Sequence, residues 1–298
     1  MGKSIEVKTD VNAGFCFGVK RAIALVEKIL NEKAKVYTLG PIIHNPQEVK
    51  RLKEKGVKIL NDIDCVKSGY IILRTHGISL ELRNKLEKNK TLYIIDATCP
   101  FVKKAQDIIK NLNLQETTIV IVGENSHPEV EALVSYGAGK CVVIENPMEA
   151  LEFKGMGELN IVSQTTQIPQ NFNAIVKILK KQFKVNIYNT ICKATLERQE
   201  SAKKLAKKVD LMIVVGGRNS GNTTRLAEIC KTQTKTYHIE TIDKLDDKWF
   251  NNIKTVGLTA GASTPDNIIK SVQNKLREIL QKRILQREEN KNLDKTIF

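Results

Sequence analysis

What this chain of 298 residues has least of narrows what it can be. No run of about 18 or more apolar residues occurs, so no segment reads as a membrane-spanning helix. The opening Met1-Gly-Lys-Ser-Ile-Glu-Val lacks the apolar core of a secretory signal. A cytoplasmic location is the expectation, and in that compartment six cysteines do not read as a disulfide framework. No Cys-x-x-Cys pair is present, which removes the commonest spacing of structural zinc. Aromatics are only 5% of the chain and form no arginine-rich stripe of the kind that stacks bases.

Basic charge is in excess. The formal charge of +15 comes from lysines spread over all the predicted helices, which is how a solvated surface reads. It suits an anionic ligand without requiring nucleic acid. The length allows one large core, or two or three small domains around one cleft.

Counting from three of the cysteines exposes an internal repeat. Each of Cys16, Cys99 and Cys192 follows a short apolar strand and a polar turn, and stands where a helix is about to begin. Apolar residues then recur at helical spacing, as in Val19, Ile23, Val26 and Leu30 after Cys16. The helix leads to a strand in each copy: Val36–Leu39, Thr118–Val122 and Leu211–Val215. Gly40, Gly123 and Gly216 each lie 24 residues beyond their cysteine, and His44, His127 and Ser220 each lie 28 beyond. Further strands follow around Val57–Leu60, Cys141–Ile144 and Thr236–Ile239. Each copy has one more strand that opens into a polar loop, ending at His76-Gly, Thr165-Thr166 and Ala262-Ser263.

Strands alternating with amphipathic helices predict an α/β fold with mainly parallel sheets. We expect three units related by a pseudo-threefold axis around a central metal and substrate cavity. Their predicted bounds are 16–98, 99–191 and 192–280, with the strand in 1–15 completing the third unit. Residues 281–298 read as a charged helix end and a mobile tail. The residues singled out above fall at the C-terminal ends of parallel strands, where such sheets bind ligands.

Three cysteines at helix starts are placed where the helix dipole favours thiolate. Three such thiolates could hold an iron–sulfur cluster and leave one iron open to a substrate oxygen. Cys65, Cys141 and Cys230 lack that placement and read as structural. Three of the four histidines, His44, His76 and His127, fall in strand-end loops; His238 lies within a predicted strand and reads as packed. Ser220-Gly221-Asn222 and Ser263 supply small hydroxyl and amide groups beside backbone N–H groups, which suit phosphate oxygens. Glu129 is the only acid at its repeat position, where the other copies have Pro46 and Asn222. A carboxylate there could relay a proton.

At these residues the chain resembles the 4-hydroxy-3-methylbut-2-enyl diphosphate reductase family. The resemblance rests on Gly14-Phe-Cys-Phe-Gly-Val-Lys-Arg-Ala22, Asp96-Ala-Thr-Cys-Pro100, His127-Pro-Glu-Val-Glu131 and Ser163-Gln-Thr-Thr166. Asn189-Thr-Ile-Cys192 with Arg198-Gln199, Asn219-Ser-Gly-Asn222 and Thr259-Ala-Gly-Ala-Ser263 extend it over nearly the whole chain. It implies one [4Fe–4S] cluster on Cys16, Cys99 and Cys192 with an open iron for the substrate's allylic hydroxyl. It further implies a diphosphate clamp of His44, His76, His127, Ser220, Asn222 and Ser263, with Glu129 as proton source and Thr165 bonding the substrate hydroxyl. Gly221 stands where many members have a second serine, leaving only its backbone N–H. Ferredoxin or flavodoxin would be the electron donor, and neither a membrane nor nucleic acid is an expected partner. Two other readings stay open: a three-cysteine iron–sulfur lyase of the quinolinate-synthase kind, and a basic zinc-containing nucleic-acid module.

Overall fold

The computed structural model describes residues 6–32, 34–64, 66–113 and 117–296, with side chains through 285. Cys65 therefore lies outside the described residues. In chain order the elements are β1 (Glu6–Thr9), α1 (Phe17–Asn31), β2 (Val36–Leu39), α2 (Pro46–Glu54), β3 (Lys58–Leu60), β4 (Gly69–Leu73), α3 (Leu80–Lys88) and β5 (Leu92–Asp96). There follow α4 (Pro100–Leu112), β6 (Thr118–Val122), α5 (Pro128–Tyr136), β7 (Cys141–Ile144), α6 (Pro147–Glu152), β8 (Glu158–Ser163), α7 (Pro169–Leu179) and β9 (Lys184–Tyr188). The last are α8 (Lys193–Ala206), β10 (Leu211–Val215), α9 (Gly221–Lys231), β11 (Lys235–Ile239), β12 (Thr255–Ala260) and α10 (Asp266–Thr296).

The strands make three four-stranded sheets, ordered β3-β2-β4-β5, β7-β6-β8-β9 and β11-β10-β12-β1. Every pairing is parallel, so the three sheets share one topology. The equivalence extends to single bonds. Gly40, Gly123 and Gly216 donate their N–H to Leu60 O, Ile144 O and Ile239 O at 3.0, 3.2 and 2.9 Å.

Parallel strands covered on both faces need continuous apolar runs. Ile119–Val122 and Leu211–Val215 are such runs, and all their side chains are fully buried. Helix starts follow equally local rules. Proline opens α2, α4, α5, α6 and α7, where its missing N–H would have had no partner. Helix α10 runs on to Thr296, past Leu280 where the apolar pattern fades. Arg, Glu, Lys, Leu and Gln in this charged helix end keep high helix propensity after the apolar pattern fades.

Two compact units hold these sheets. Cys16–Leu196 carries the first two; the N-terminal strand and the chain from Glu197 onward make the third. No helix among the described residues is long and apolar enough to cross a membrane.

Candidate functional site

The unit Cys16–Leu196 contains all three repeat cysteines. Cys16 and Cys99 occupy the N-cap positions of α1 and α4, and Cys192 immediately precedes α8. The backbones of Cys99 and Cys192 are anchored to the strand-end loops. The N–H of Cys99 donates to Thr75 O at 3.0 Å, and that of Cys192 to Thr165 O at 2.9 Å. The thiols lie within electrostatic reach of one another: Cys99 feels Cys16 and Cys192, and Cys192 feels Cys16 and Glu129.

The helix N-termini do reach these sulfurs. The backbone N–H groups of Phe101 and Val102 favour the Cys99 thiolate without a capping hydrogen bond to its sulfur, while the Thr195 N–H donates to Cys192 Sγ at 3.3 Å. Thr195 Oγ1 also stands 3.0 Å from Cys192 Sγ, a contact that no sequence signal marks beyond its place in the first helical turn. Burial nevertheless outweighs these bonds. It pushes the Cys99 thiol up to about 11, with repulsion from Cys16 adding to it, and raises that of Cys192. At Cys99 and Cys192 the helix starts do favour the thiolate, but desolvation penalises the charged form more.

A bound cation would reverse that balance. No group of three His, Cys, Asp or Glu side chains among the described residues is arranged to hold a single metal ion, where zinc–sulfur bonds would be about 2.3 Å. The all-sulfur donor set suits a larger iron–sulfur cluster instead. Gly18 keeps the cradle open, since a Cβ there would stand 2.7 Å from Cys99 Sγ. The residues present fit a three-thiolate cluster.

Glu129 and Thr165 are paired beside Cys192. Glu129 is 1% exposed. Its Oε1 accepts from the Thr165 N–H at 2.6 Å and its Oε2 from the Thr165 hydroxyl at 2.8 Å. Thr165 thus holds Cys192 through its carbonyl and Glu129 through its N–H and hydroxyl. The Glu129 N–H in turn donates to Nδ1 of His127, the N-cap of α5, at 3.1 Å.

The three loop histidines meet. His44 and His76 have ring centroids 4.2 Å apart, and each lies 5.6 Å from His127. Burial, with help from Arg74, lowers His44 to about 4. Burial also holds His76 well below its ordinary value, with His44, His127 and Arg74 repelling its proton. Both rings are therefore neutral near pH 7. His76 Nδ1 is buried without a hydrogen-bond partner, and such an atom calls for a ligand or an ordered water.

In the other unit, Ser220 caps α9 and takes the Thr223 N–H and hydroxyl at 3.4 and 3.0 Å. Asn222 is buried with its Nδ2 unpartnered. Gly261 brings the loop carrying Ser263 against this helix start; a Cβ on it would sit 1.9 Å from Thr223 Oγ1. Gly221 opens α9 itself. His238 packs on β11 as expected and also meets the neighbouring strand end, where its Nε2 lies 2.8 Å from Gly216 O at the root of the Ser220 loop. Cys141 begins β7 and Cys230 is buried on α9, both away from these groups.

A family model described as LytB protein matches residues 7–277. A 4-hydroxy-3-methylbut-2-enyl diphosphate reductase of Pelobacter propionicus is 48% identical over 91% of this chain and 97% of its own length. The enzyme of that description in Geobacter sulfurreducens is 45% identical over 94% of this chain and 99% of its own. Among solved structures, an (E)-4-hydroxy-3-methyl-but-2-enyl diphosphate reductase, described as the terminal enzyme of the non-mevalonate pathway, matches with a TM-score of 0.66. It is 46% identical and covers 92% of this chain and 99% of that one. The E-1-hydroxy-2-methyl-but-2-enyl-4-diphosphate reductase from Plasmodium falciparum matches with a TM-score of 0.86 and 30% identity, over 91% of this chain and 87% of that one. These likenesses are to reductases, against the lyase and nucleic-acid readings.

Proposed function

The chain belongs to the LytB protein family, and on that footing we propose that it reductively dehydroxylates (E)-4-hydroxy-3-methylbut-2-enyl diphosphate. Two electrons and two protons remove the hydroxyl as water and yield isopentenyl and dimethylallyl diphosphates, the last step of the non-mevalonate isoprenoid pathway. The observation that carries this reading is the Glu129–Thr165 pair, which Thr165 O ties to the backbone of Cys192, one of three thiols within electrostatic reach of one another.

Cys16, Cys99 and Cys192 would hold a [4Fe–4S] cluster, which supplies electrons and an open iron as Lewis acid to the substrate hydroxyl. Thr165 orients that hydroxyl. When Glu129 is protonated, its O–H donates to Thr165 Oγ1 and the threonine proton turns outward, so the pair can pass a proton to the departing oxygen. Neutral His44 and His76, with His127 beside them, offer ring N–H donors to diphosphate oxygens, and His76 Nδ1 gains the partner it lacks. Ser220, the Gly221 N–H, Asn222 and Ser263 are assigned to diphosphate oxygens on the chemistry of their two loops. Ferredoxin or flavodoxin delivers the electrons. Five free thiols among the described residues and an oxygen-sensitive cluster suit a reducing cytoplasm.

Anaerobic purification with iron, sulfide and zinc analysis, before and after Cys99→Ser, tests the metal assignment. Iron and sulfide in equal amounts, reduced by the substitution, are expected; stoichiometric zinc with negligible iron would overturn it. For the proton role, Glu129→Gln should keep iron and substrate affinity while kcat falls by about 100-fold or more. Turnover near that of the parent chain would return Glu129 to a structural helix-start acid.

A further inference from the structure

Arg21 and Arg198 play no part in the chemistry above, yet both are spent on the backbone just ahead of a cysteine. Arg21 lies on α1, five residues beyond Cys16. Its Nη1 donates to Thr98 O at 3.2 Å and its Nη2 to Asp96 O at 3.0 Å. Those carbonyls lie one and three residues before Cys99. Arg198 lies on α8, six residues beyond Cys192, and is 4% exposed. Its Nη1 donates to Asn12 O, and its Nη2 to Gly14 O at 2.9 Å. Those carbonyls lie four and two residues before Cys16. The shift of one residue along the helix is matched by a shift of one residue along the loop, so the same fork recurs in two repeats.

The pattern is cyclic. The helix after Cys16 grips the approach to Cys99, and the helix after Cys192 grips the approach to Cys16. In α4, the helix after Cys99, the corresponding positions are Lys104 and Ala105. Neither has a planar fork, and the approach to Cys192 is held differently. Thr190 Oγ1 accepts from the Ser163 N–H at 3.0 Å and donates to Ser163 O, while Asn189 Oδ1 accepts from the Ile191 N–H at 3.1 Å.

A guanidinium bonded to two alternate carbonyls fixes two peptide planes at once, which a single ammonium cannot do. Those planes set where the following Cα–Cβ bond points. We infer that Arg21 and Arg198 are positioning residues that aim the thiols of Cys99 and Cys16. In α1 the same face also carries Gly18, three residues before Arg21, which lies against Cys99 Sγ. The inference rests on the assignment of the three thiols as cluster ligands.

The test uses the anaerobically purified full chain and the variants Arg21→Lys and Arg198→Lys, with Lys104→Ala as a control. Each is exposed to an iron chelator together with a thiol-alkylating reagent. Iron release is followed by absorbance, and labelling of each cysteine by peptide mass spectrometry. Arg21→Lys should accelerate iron release and Cys99 labelling on the order of 10-fold, leaving Cys192 labelling as in the parent. Arg198→Lys should do the same at Cys16, and Lys104→Ala should change nothing. Equal acceleration at all three cysteines means general loosening and overturns the inference, as do unchanged rates. If Arg198→Lys yields no folded protein by circular dichroism, Arg21→Lys decides, because half-buried Arg21 accepts a lysine stem without a core void. A parent chain without iron refutes the cluster assignment, whereas an iron-containing parent with unselective variants refutes only the positioning role.

Discussion

Gly18 shows how much one hydrogen in place of a methyl decides. Its missing side chain leaves the room into which Cys99 Sγ projects, and an added Cβ would approach that sulfur to 2.7 Å. Gly18→Ala is therefore expected to lose most of its iron after anaerobic purification while the chain still folds, measured by iron content and circular dichroism. His44 gives a second residue-scale prediction. Burial, then Arg74, lowers it from 6.5 to about 4, and His76 and His127 crowd the same space. The unfolded chain binds this proton near pH 6.5 and the folded chain does not. Stability is thus fully present above about pH 6.5 and declines as the pH falls towards 4, by roughly 3 kcal/mol from this group alone. Urea unfolding at about pH 7 and about pH 4.5 should show a smaller loss for His44→Asn than for the parent chain.

At the scale of elements, local sequence rules set nearly every boundary. Val36–Leu39, Thr118–Val122, Cys141–Ile144 and Leu211–Val215 form strands over the residues that their apolar runs mark. Their strength is tertiary. Ile121 in β6 is fully buried, so Ile121→Ala should cost about 2–5 kcal/mol, read as a lower urea midpoint. Helix α6 escapes a reading by period, since six residues show too little of one to announce a helix; its cap, Asn146, accepts from the Met148 and Glu149 N–H groups at 3.0 and 3.1 Å. The equal offsets to His44 and His127 are legible because each histidine stands five residues beyond the last residue of its strand, Leu39 or Val122. What these loops do to a proton is not, because desolvation depends on residues brought in from elsewhere.

For the molecule as a whole, three sheets of one topology place their strand ends, and hence the marked residues, by repetition rather than by three separate designs. A ligand that binds only the folded chain stabilises it by mass action. Removing iron with a chelator under anaerobic conditions should therefore lower the melting temperature by several degrees. Cys99→Ser should melt near the chelated value and respond little to chelator. Scanning calorimetry under argon checks both.

The sequence by itself determined the α/β class, the repeat, the strand and helix starts, and the set of cysteines, histidines, hydroxyls and one carboxylate at strand ends. These follow from hydrophobic period, proline placement and loop length, all of which act over a few residues. Only the tertiary structure decided the burial that raises the Cys99 thiol, the neutrality of His44 and His76, and the bonding of Glu129 to Thr165. The same holds for the grip of Arg21 and Arg198 on loops 75 to 186 residues away in sequence. Burial and bidentate geometry arise between segments that no local pattern connects.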